Sequence, residues 1–357
     1  CVLGGLVTGV GLSRQGRTSA VVGARRLGWN CPRETPGKLC REHGQLYGIL
    51  SETSGATDAQ ISADVGQEAL EQVVSIIKTN NIDCDLKRTD SYLFTELDEN
   101  LELIRAEVES AKRLGLPADF VEEAPLSFVK GAMRFTNQAQ FHPRKFLLFM
   151  ANQLAAAGLL FENTRALDIV EDSAGKNLVL KTDRGDIRAA NVIVATNTPF
   201  YRRELFAPLF KPTRSFVLGL RLEGPTPPGL YYSLDPLGGS IRNQPLDDGT
   251  LLMVGCWDRS LGWSDINGQF EAVESYARKR LPVESIDYHW FTQDQKAPDR
   301  LPCIGRMPGS PNVFVAAAFG GWGMTTSCAA AMILSDLVSG RDNPRASLFD
   351  PARLLGG

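Results

Sequence analysis

The sequence predicts a two-domain α/β fold in which a β-rich domain is inserted into a domain of alternating strands and helices. A length of 357 residues is typical of about two domains, and 43% hydrophobic with 22% charged residues is ordinary for a globular chain. Strand and helix patterns alternate at both ends, whereas residues 215–254 show the long period-2 alternation of antiparallel strands. We therefore expect the two ends to close one domain around the other.

The elements follow from apolar periodicity and from helix start and stop signals. The segment from Val2 to Gly9 predicts a strand end that enters a glycine turn, and Ser19 to Val22 a second strand. The predicted helix at 98–114 has acidic residues early and basic residues late, as the helix dipole favours. Further helices are predicted at 64–80, 143–157, 268–281 and 324–340.

The remaining strands are short and apolar. Segments 159–161, 166–170, 178–182 and 187–189 predict a β-meander, and 192–196 a strand buried on both faces. Strands are also predicted at 91–94, 216–222, 230–232, 240–242, 251–254, 287–292 and 313–317.

Charge and composition exclude several classes of partner. A net charge of −3 and a pI of about 5.8 predict no general attraction to nucleic acid or anionic membranes. The apolar run at residues 1–10 is too short for a membrane helix and has no signal-peptide pattern, so we expect an N-terminal piece before Cys1. Seven scattered cysteines and three histidines predict no metal site, only unpaired thiols in a reducing cytoplasm.

The first glycine turn is a degraded form of a dinucleotide-binding motif. Gly4 and Gly9 fill the outer glycine positions, but Leu6 stands in the middle, where a side chain should obstruct a pyrophosphate. Gly23 stands where a ribose-binding carboxylate is expected. Only twelve residues, Leu6 to Arg17, form the crossover, which is close to the minimum length.

A second glycine turn, Phe319 to Thr325, joins a predicted strand to a predicted helix. Three glycines there let a planar ring approach the backbone, and the helix N-terminus offers N–H groups and a positive dipole end. The alternative is an ordinary strand–helix turn.

Taken in order, these segments give the chain a family resemblance over nearly its whole length. It resembles the D-amino-acid-oxidase-type (DAO) FAD-dependent oxidoreductases, most closely the branch often fused to a Rieske domain. The resemblance lies in Ile82–Asp85, Gln138–Pro143, Asp299–Gly305 and Phe319–Thr325, with loop residues Lys38, His43, Gly44 and Tyr47. The stretch before Lys38 departs from that branch at Cys31 to Glu34, and no Cys-x-His is present, so no Rieske domain is expected here.

The resemblance implies FAD as cofactor and a FAD/NAD(P)-binding Rossmann-like domain with an inserted antiparallel β-rich substrate domain. It divides the chain into residues 1–80, 141–212 and 295–357 for FAD, and 81–140 and 213–294 for substrate. The implied cofactor contacts are Gly4, Gly5 and Gly9 at the pyrophosphate, Arg25 and Ala166 at the adenosine, Thr196, Lys38, His43 and Gly305 along the cofactor, and Gly320, Gly321, Gly323, Met324 and Thr325 at the isoalloxazine.

The implied reaction is hydride transfer from a C–H bond beside an amine nitrogen to the flavin. The substrate would be an amine or amino acid, and an electron-transfer partner would be possible. Tyr232 is a candidate substrate contact, and Trp322 could wall the pocket, although an aromatic residue is more often plain core. Arg242 could clamp a carboxylate or equally be a solvated surface arginine.

Two alternatives stay open at the level of sequence. Leu6, Gly23 and the short crossover motivate a degenerate relative that keeps the fold without binding FAD. A NAD(P)-dependent enzyme is disfavoured, because the second glycine turn would have no role in it.

Overall fold

The computed structural model describes residues 2–26, 35, 37–41, 43–172, 177–236, 238–257 and 265–355. Its α-helices are α1 Val2–Arg14, α2 Tyr47–Thr53, α3 Ala56–Thr79, α4 Leu101–Arg113, α5 Pro143–Ala156, α6 Arg203–Phe206, α7 Ile266–Arg278, α8 Gly323–Val338 and α9 Ala346–Phe349. Short 3₁₀ turns lie at Asp98–Asn100 and Pro351–Leu354.

Seventeen strands are found in the described part of the chain. They are β1 Val21–Val22, β2 Lys38–Leu39, β3 Lys87–Thr95, β4 Ala118–Val121, β5 Gly131–Gln140, β6 Leu160–Phe161, β7 Ala166–Glu171, β8 Leu178–Thr182, β9 Gly185–Ala189, β10 Val192–Asn197, β11 Lys211–Leu222, β12 Leu230–Ser233, β13 Gly239–Leu246, β14 Gly249–Trp257, β15 Val283–Lys296, β16 Cys303–Met307 and β17 Ser310–Ala317.

The first element is a helix, so the predicted strand end and glycine turn are wrong. In α1, buried apolar side chains recur with helical spacing at Leu3, Leu6, Val7 and Val10, none more than 5% exposed. This stripe packs on α8 and α5, and that packing outweighs the poor helix propensity of the glycines between. The strand predicted at 19–22 is confirmed as β1, which pairs with β6 in parallel.

Outside the largest sheet, parallel pairs occur in two separate sheets of the described residues. One is the β1–β6 pair, and the other has the order β10-β17-β16, with β10 and β17 parallel. The meander is confirmed for β7, β8 and β9 but not for β6, which joins β1 instead. Strand β10 is not buried on both faces: only Val194 is buried, and Thr196 is exposed.

The largest sheet has nine strands in the order β15-β11-β14-β13-β12-β3-β5-β2, with β4 also on β5. Its pairs are antiparallel except β12 with β3, where Leu230 lies opposite Ser91. Helix α7 covers one face, and that core includes Ile241 and Val254 at 0% exposure. Strand β2 joins this sheet through Lys38 opposite Gln140, although it belongs to the range that the sequence assigned to the FAD domain.

Several elements were absent from the sequence prediction, namely α2, α6, α9, β2, β4, β5 and β16. Helix α3 also begins eight residues before its predicted start at Asp64, at Ala56. Its first turns bury Ala59 and Ala63 completely. Alanine contributes little to an apolar periodicity, so that buried face was not recognised.

Among the described residues no helix is long and apolar enough to cross a membrane. Across the same ranges, no group of three or more His, Cys, Asp or Glu side chains could hold a metal ion.

Candidate functional site

The second glycine turn connects β17 to α8 through left-handed backbone. Gly320 and Gly321 have φ of 62° and 94°, a conformation that favours glycine. No side chain caps the N-terminus of α8, so its first N–H groups and its positive dipole end stay available to an anionic group. Cβ atoms built at Gly320 and Gly323 would meet only ordinary contacts, at 3.8 Å, so nothing packs tightly over this backbone.

An aromatic cluster, defined as Lys38, His43, Tyr232 and Trp322, lies beside this turn. The His43 and Trp322 rings stack with centroids 4.5 Å apart, and the Tyr232 ring lies 5.2 Å from that of Trp322. The Lys38 ammonium lies 5.5 Å from the Tyr232 centroid and 5.8 Å from the Trp322 centroid, within cation–π range. The cluster therefore joins α8 to the nine-stranded sheet.

Side-chain hydrogen bonds, most of them to backbone carbonyls, position the cluster residues. The Thr325 hydroxyl donates to the Cys40 carbonyl at 2.8 Å, which ties the His43 loop to the first turn of α8. His43 Nε2 lies 3.1 Å from the same carbonyl. Lys38 donates to Ser240 Oγ at 2.5 Å and to the Tyr231 carbonyl at 3.2 Å.

The protonation states follow from burial. Desolvation lowers the pKa of His43 to about 4, so the ring is neutral at pH 7. Because the Cys40 carbonyl can only accept, Nε2 carries the proton. Lys38 is then the cation of the aromatic cluster.

An acidic group lies on the other side of the glycine turn. The Asp294 carboxylate accepts the N–H groups of Gly321 and Gln295. Burial raises its pKa, against those two hydrogen bonds. The N–H of Gly321, one of the implied flavin contacts, is thus already bound to a side chain.

Arg242 lies on the face of β13 opposite the buried Ile241, together with Ser240 and Gln244. Its side chain is 1% exposed, so the reading of a solvated surface arginine is wrong. It donates to Gln244 Oε1 at 2.5 Å and to the Phe141 carbonyl at 3.4 Å. Its Nε has no hydrogen-bond partner in the part of the chain that the structure describes. Burial lowers the pKa of Arg242 to about 9.

The predicted pyrophosphate residues occupy α1. Gly4 and Gly5 lie in its first turn, where N–H groups have no intrahelical acceptor, and Gly9 lies one turn further along. A Cβ at Gly9 would lie 2.9 Å from Val21, so this glycine lets the helix pack against β1. Leu6 is 0% exposed in the core, so its expected clash with a phosphate is wrong.

That correction removes two of the three observations that motivated the hypothesis of a degenerate relative without bound FAD. Leu6 points into the core, and most of the predicted short crossover, from Leu6 to Arg14, belongs to helix α1. Gly23 follows β1 as expected, and its own backbone bonds are made, to the Phe161 carbonyl and from the Thr164 N–H.

The other predicted cofactor residues are dispersed. Arg25 is exposed beyond β1, and Ala166 is half-buried at the start of β7. Thr196 is exposed and donates to the Thr198 carbonyl. A Cβ at Gly305 would lie 2.9 Å from Pro351, which gives this glycine a packing role. Their contacts with the cofactor stay predictions.

The residues present fit an isoalloxazine at the second glycine turn. The turn offers open glycine backbone, an uncapped helix N-terminus and the flat rings of the aromatic cluster. Gly320, Gly323, Met324 and Thr325 would hold the ring, with Met324 and Thr325 already buried at 5% and 3%.

Sequence reasoning missed three polar residues of this region: Asp294, Gln244 and Glu107. The first two gave no signal, because each is a polar residue on a strand. Glu107 gave one: it falls on the buried stripe of α4 with Ile104, Val108 and Ala111, at i, i+3, i+4 and i+7.

Comparison with known proteins identifies relatives of the chain in sequence and in fold. The chain is 29% identical over 361 residues to the putative Rieske 2Fe-2S iron-sulfur protein YhfW of Bacillus subtilis (strain 168), covering 99% of this chain and 70% of that protein. Glycine oxidase from Geobacillus kaustophilus has a similar structure, with a TM-score of 0.77, 20% identity and coverage of 99% and 95%. L-proline dehydrogenase from P. horikoshii matches with a TM-score of 0.78, 16% identity and the same coverage.

These structural matches confirm the expected architecture, a Rossmann-like FAD domain with a β-rich domain. The model of the DAO family, described as FAD dependent oxidoreductase, matches residues 4–337. The chain therefore belongs to the DAO family of FAD-dependent oxidoreductases, and FAD is its cofactor.

Proposed function

We propose that this enzyme oxidises the C–N bond of an amine or amino acid by hydride transfer to FAD. The observation that carries the proposal is the aromatic cluster, because it joins the α8 glycine turn to the sheet face of Tyr232 and Ser240. A flavin at the turn and a small substrate against the sheet would meet there. The names of the similar structures, a glycine oxidase and an L-proline dehydrogenase, support an amino acid as substrate class.

When bound, FAD supplies the hydride acceptor for a C–H bond beside an amine nitrogen. The protein positions the substrate and excludes water. Trp322 and Tyr232 present ring surfaces that orient an apolar substrate body, and the first turn of α8 favours negative charge at its N-terminus. His43 stays neutral, so Lys38 sets the charge of the cluster.

Arg242 favours an amino acid over a simple amine. A buried guanidinium is costly to desolvate, and this one is held by a neutral amide, Gln244, and a carbonyl, Phe141. Gln244 is bound in turn to Asp85, at 3.1 Å. Among the described residues no carboxylate contacts the guanidinium directly, although the charge of Asp85 raises its pKa against desolvation. A substrate carboxylate would bind and neutralise it.

The test begins with the purified protein, whose flavin absorbance should be retained on desalting and released by heat. Under anaerobic conditions, amino acids of both configurations, N-methyl amino acids and simple amines are then added in turn, and bleaching of the flavin is measured. Arg242→Met should raise KM for amino acids and leave that for simple amines unchanged. Bound FAD that no amine or amino acid reduces would refute the proposed reaction.

The same assay addresses how the reduced flavin is reoxidised, and the cysteines bear on the compartment of the protein. We propose that another protein can accept the electrons; faster reoxidation by an artificial dye than by oxygen would support this. The free thiols Cys84, Cys303 and Cys328 support a reducing cytoplasm as the location. Recovery of the protein in an oxidising compartment of its own cell would contradict that location.

A further inference from the structure

One buried glutamate outside the aromatic cluster holds the loop that carries His43. We propose that Glu107 is a positioning residue for the flavin site: its carboxylate fixes residues 46–48 and, through them, the stacking of His43 on Trp322. This inference rests on the FAD cofactor of the family and is independent of which substrate is oxidised.

The carboxylate of Glu107 collects three consecutive backbone N–H groups. Oε1 accepts from Leu46 at 3.0 Å and from Tyr47 at 2.7 Å, and Oε2 accepts from Gly48 at 2.9 Å. These groups open α2, a seven-residue helix whose N-cap residue, Leu46, makes no side-chain cap. Glu107 therefore caps α2 from about sixty positions away in the chain, as a charge-assisted hydrogen-bond acceptor.

This arrangement places a charged group in the core. Glu107 is 3% exposed, and no Lys or Arg of the described ranges forms an ion pair with it. Burial raises the pKa of its carboxyl, while the three N–H groups and the charge of Arg300 act in the opposite direction. Burying a carboxylate costs free energy, and capping the first turn of a short helix would offset only a small part of that cost. The carboxylate has a larger effect on the loop that precedes the helix, because it fixes the position of that loop.

Two further contacts carry the constraint to the flavin site. The Tyr47 hydroxyl donates to the Arg41 carbonyl at 2.7 Å, so fixing Tyr47 also fixes the start of the loop. The preceding carbonyl, that of Cys40, accepts from Thr325 of α8 and from His43. The loop is thereby held by Glu107 at one end and by α8 at the other.

Gly48 shows how close this approach is. A Cβ at Gly48 would lie 2.9 Å from Glu107 Oε2, a distance that Cβ atoms do not tolerate. A side chain there would push the carboxylate away without changing its charge. Gly48→Ala is therefore an independent way to disturb the same contact.

The experiment titrates FAD into the full-length apoprotein and follows the quenching of tryptophan fluorescence. Glu107→Gln places an NH₂ group against backbone donors, so at least one hydrogen bond is lost, and we expect FAD to bind at least about tenfold more weakly. Hydrogen exchange at residues 43–48 should rise in the same variant, and the absorbance maxima of bound flavin should shift. Glu109→Gln is the matched control, since Glu109 lies on the same helix and is 64% exposed; its FAD affinity should stay within about twofold.

The outcomes separate positioning from plain capping. If exchange at 46–48 rises in Glu107→Gln while FAD affinity and the flavin spectrum stay as in the wild type, the carboxylate only caps α2 and the proposal is wrong. If Glu107→Gln does not fold, Gly48→Ala decides by the same readouts, with a smaller loss of affinity expected. Glu107→Asp keeps the charge, and an FAD affinity between those of Glu107→Gln and the wild type would support the proposal.

Discussion

At the scale of single residues, the site depends on groups whose charge is set by burial. His43 is stacked on Trp322 and bound to the Cys40 carbonyl, and burial keeps its ring neutral. Arg242 keeps its charge against desolvation with only neutral groups in hydrogen-bond contact. The two residues therefore respond to pH and to ligands in different ways.

The lowered pKa of His43 predicts a loss of stability in acid. The unfolded chain binds a proton below pH 6.5, whereas the folded chain does so only near pH 4. The stabilisation is therefore fully present above pH 6.5 and is lost as the pH falls toward 4, by about 2 kcal/mol between pH 6.5 and 5. Urea unfolding of the apoprotein across this range measures it.

His43→Gln keeps a donor for the Cys40 carbonyl but does not titrate, so its free energy of unfolding should fall less steeply over the same range. His289→Gln, at an exposed position, is the control and should keep the wild-type slope. Equal slopes for wild type and His43→Gln would contradict a half-buried His43 that desolvation keeps neutral.

At the scale of elements, α1 changes the meaning of the first glycine-rich segment. The sequence pattern there satisfies both a strand–turn motif and a helical stripe of apolar residues. Only the helix buries Leu3, Leu6, Val7 and Val10 on one face, against α8 and α5. Burial of four apolar side chains outweighs the entropy cost of the glycines in the helix.

Leu6 distinguishes the two descriptions, because they predict opposite outcomes. If Leu6 obstructed a phosphate, shortening its side chain would tighten FAD binding. Since it is 0% exposed in the core, Leu6→Ala should instead lower the free energy of unfolding by about 2–5 kcal/mol and leave FAD affinity equal or weaker. Urea unfolding of the apoprotein and a FAD titration test this, and tighter FAD binding would contradict the position of Leu6 in α1.

At the scale of the whole molecule, helix α8 and the nine-stranded sheet meet where the aromatic cluster lies. Thr325 reaches the β2 side of the molecule at Cys40, and Lys38 reaches β13 at Ser240. Strand β2 extends the nine-stranded sheet into the range 1–80 that the sequence assigned to the FAD domain. That division, 1–80, 141–212 and 295–357 against 81–140 and 213–294, stays a proposal.

Close packing throughout the molecule predicts unreactive thiols. Cys84, Cys303 and Cys328 are at most 1% exposed, and burial raises their pKa to about 12, 11 and 12. Iodoacetamide at neutral pH should therefore leave these three unmodified in the native protein and modify them in urea, as mass spectrometry of peptides would show. Cys256 is half-buried and serves as the comparison. Native modification of Cys328 at the rate of Cys256 would indicate that the α8 packing opens.

Much of the fold was predictable from local patterns, and the reason is physical. Strands β11, β13 and β14 and helices α5, α7 and α8 show their period within a short window, so their existence was predicted even where their ends were not. Alanine-rich turns of α3, and β5 with its mixed polar pattern, gave too little periodicity. For the site, the glycine turn at 319–325 and the candidate residues Lys38 and His43 were predicted from the sequence, and the structure brings these residues together.

The sequence by itself determined the class of fold and the second glycine turn, because each depends on a pattern within a short window of the chain. It also determined the family, because the residues of its motifs and their order along the chain are visible in the sequence. The tertiary structure decided whether Val2–Arg14 is a strand or a helix, because that depends on what its apolar side packs against. It also decided that Arg242 is buried and that Glu107 caps a distant helix. Such contacts form only when segments far apart in the chain meet, and no local pattern carries that information.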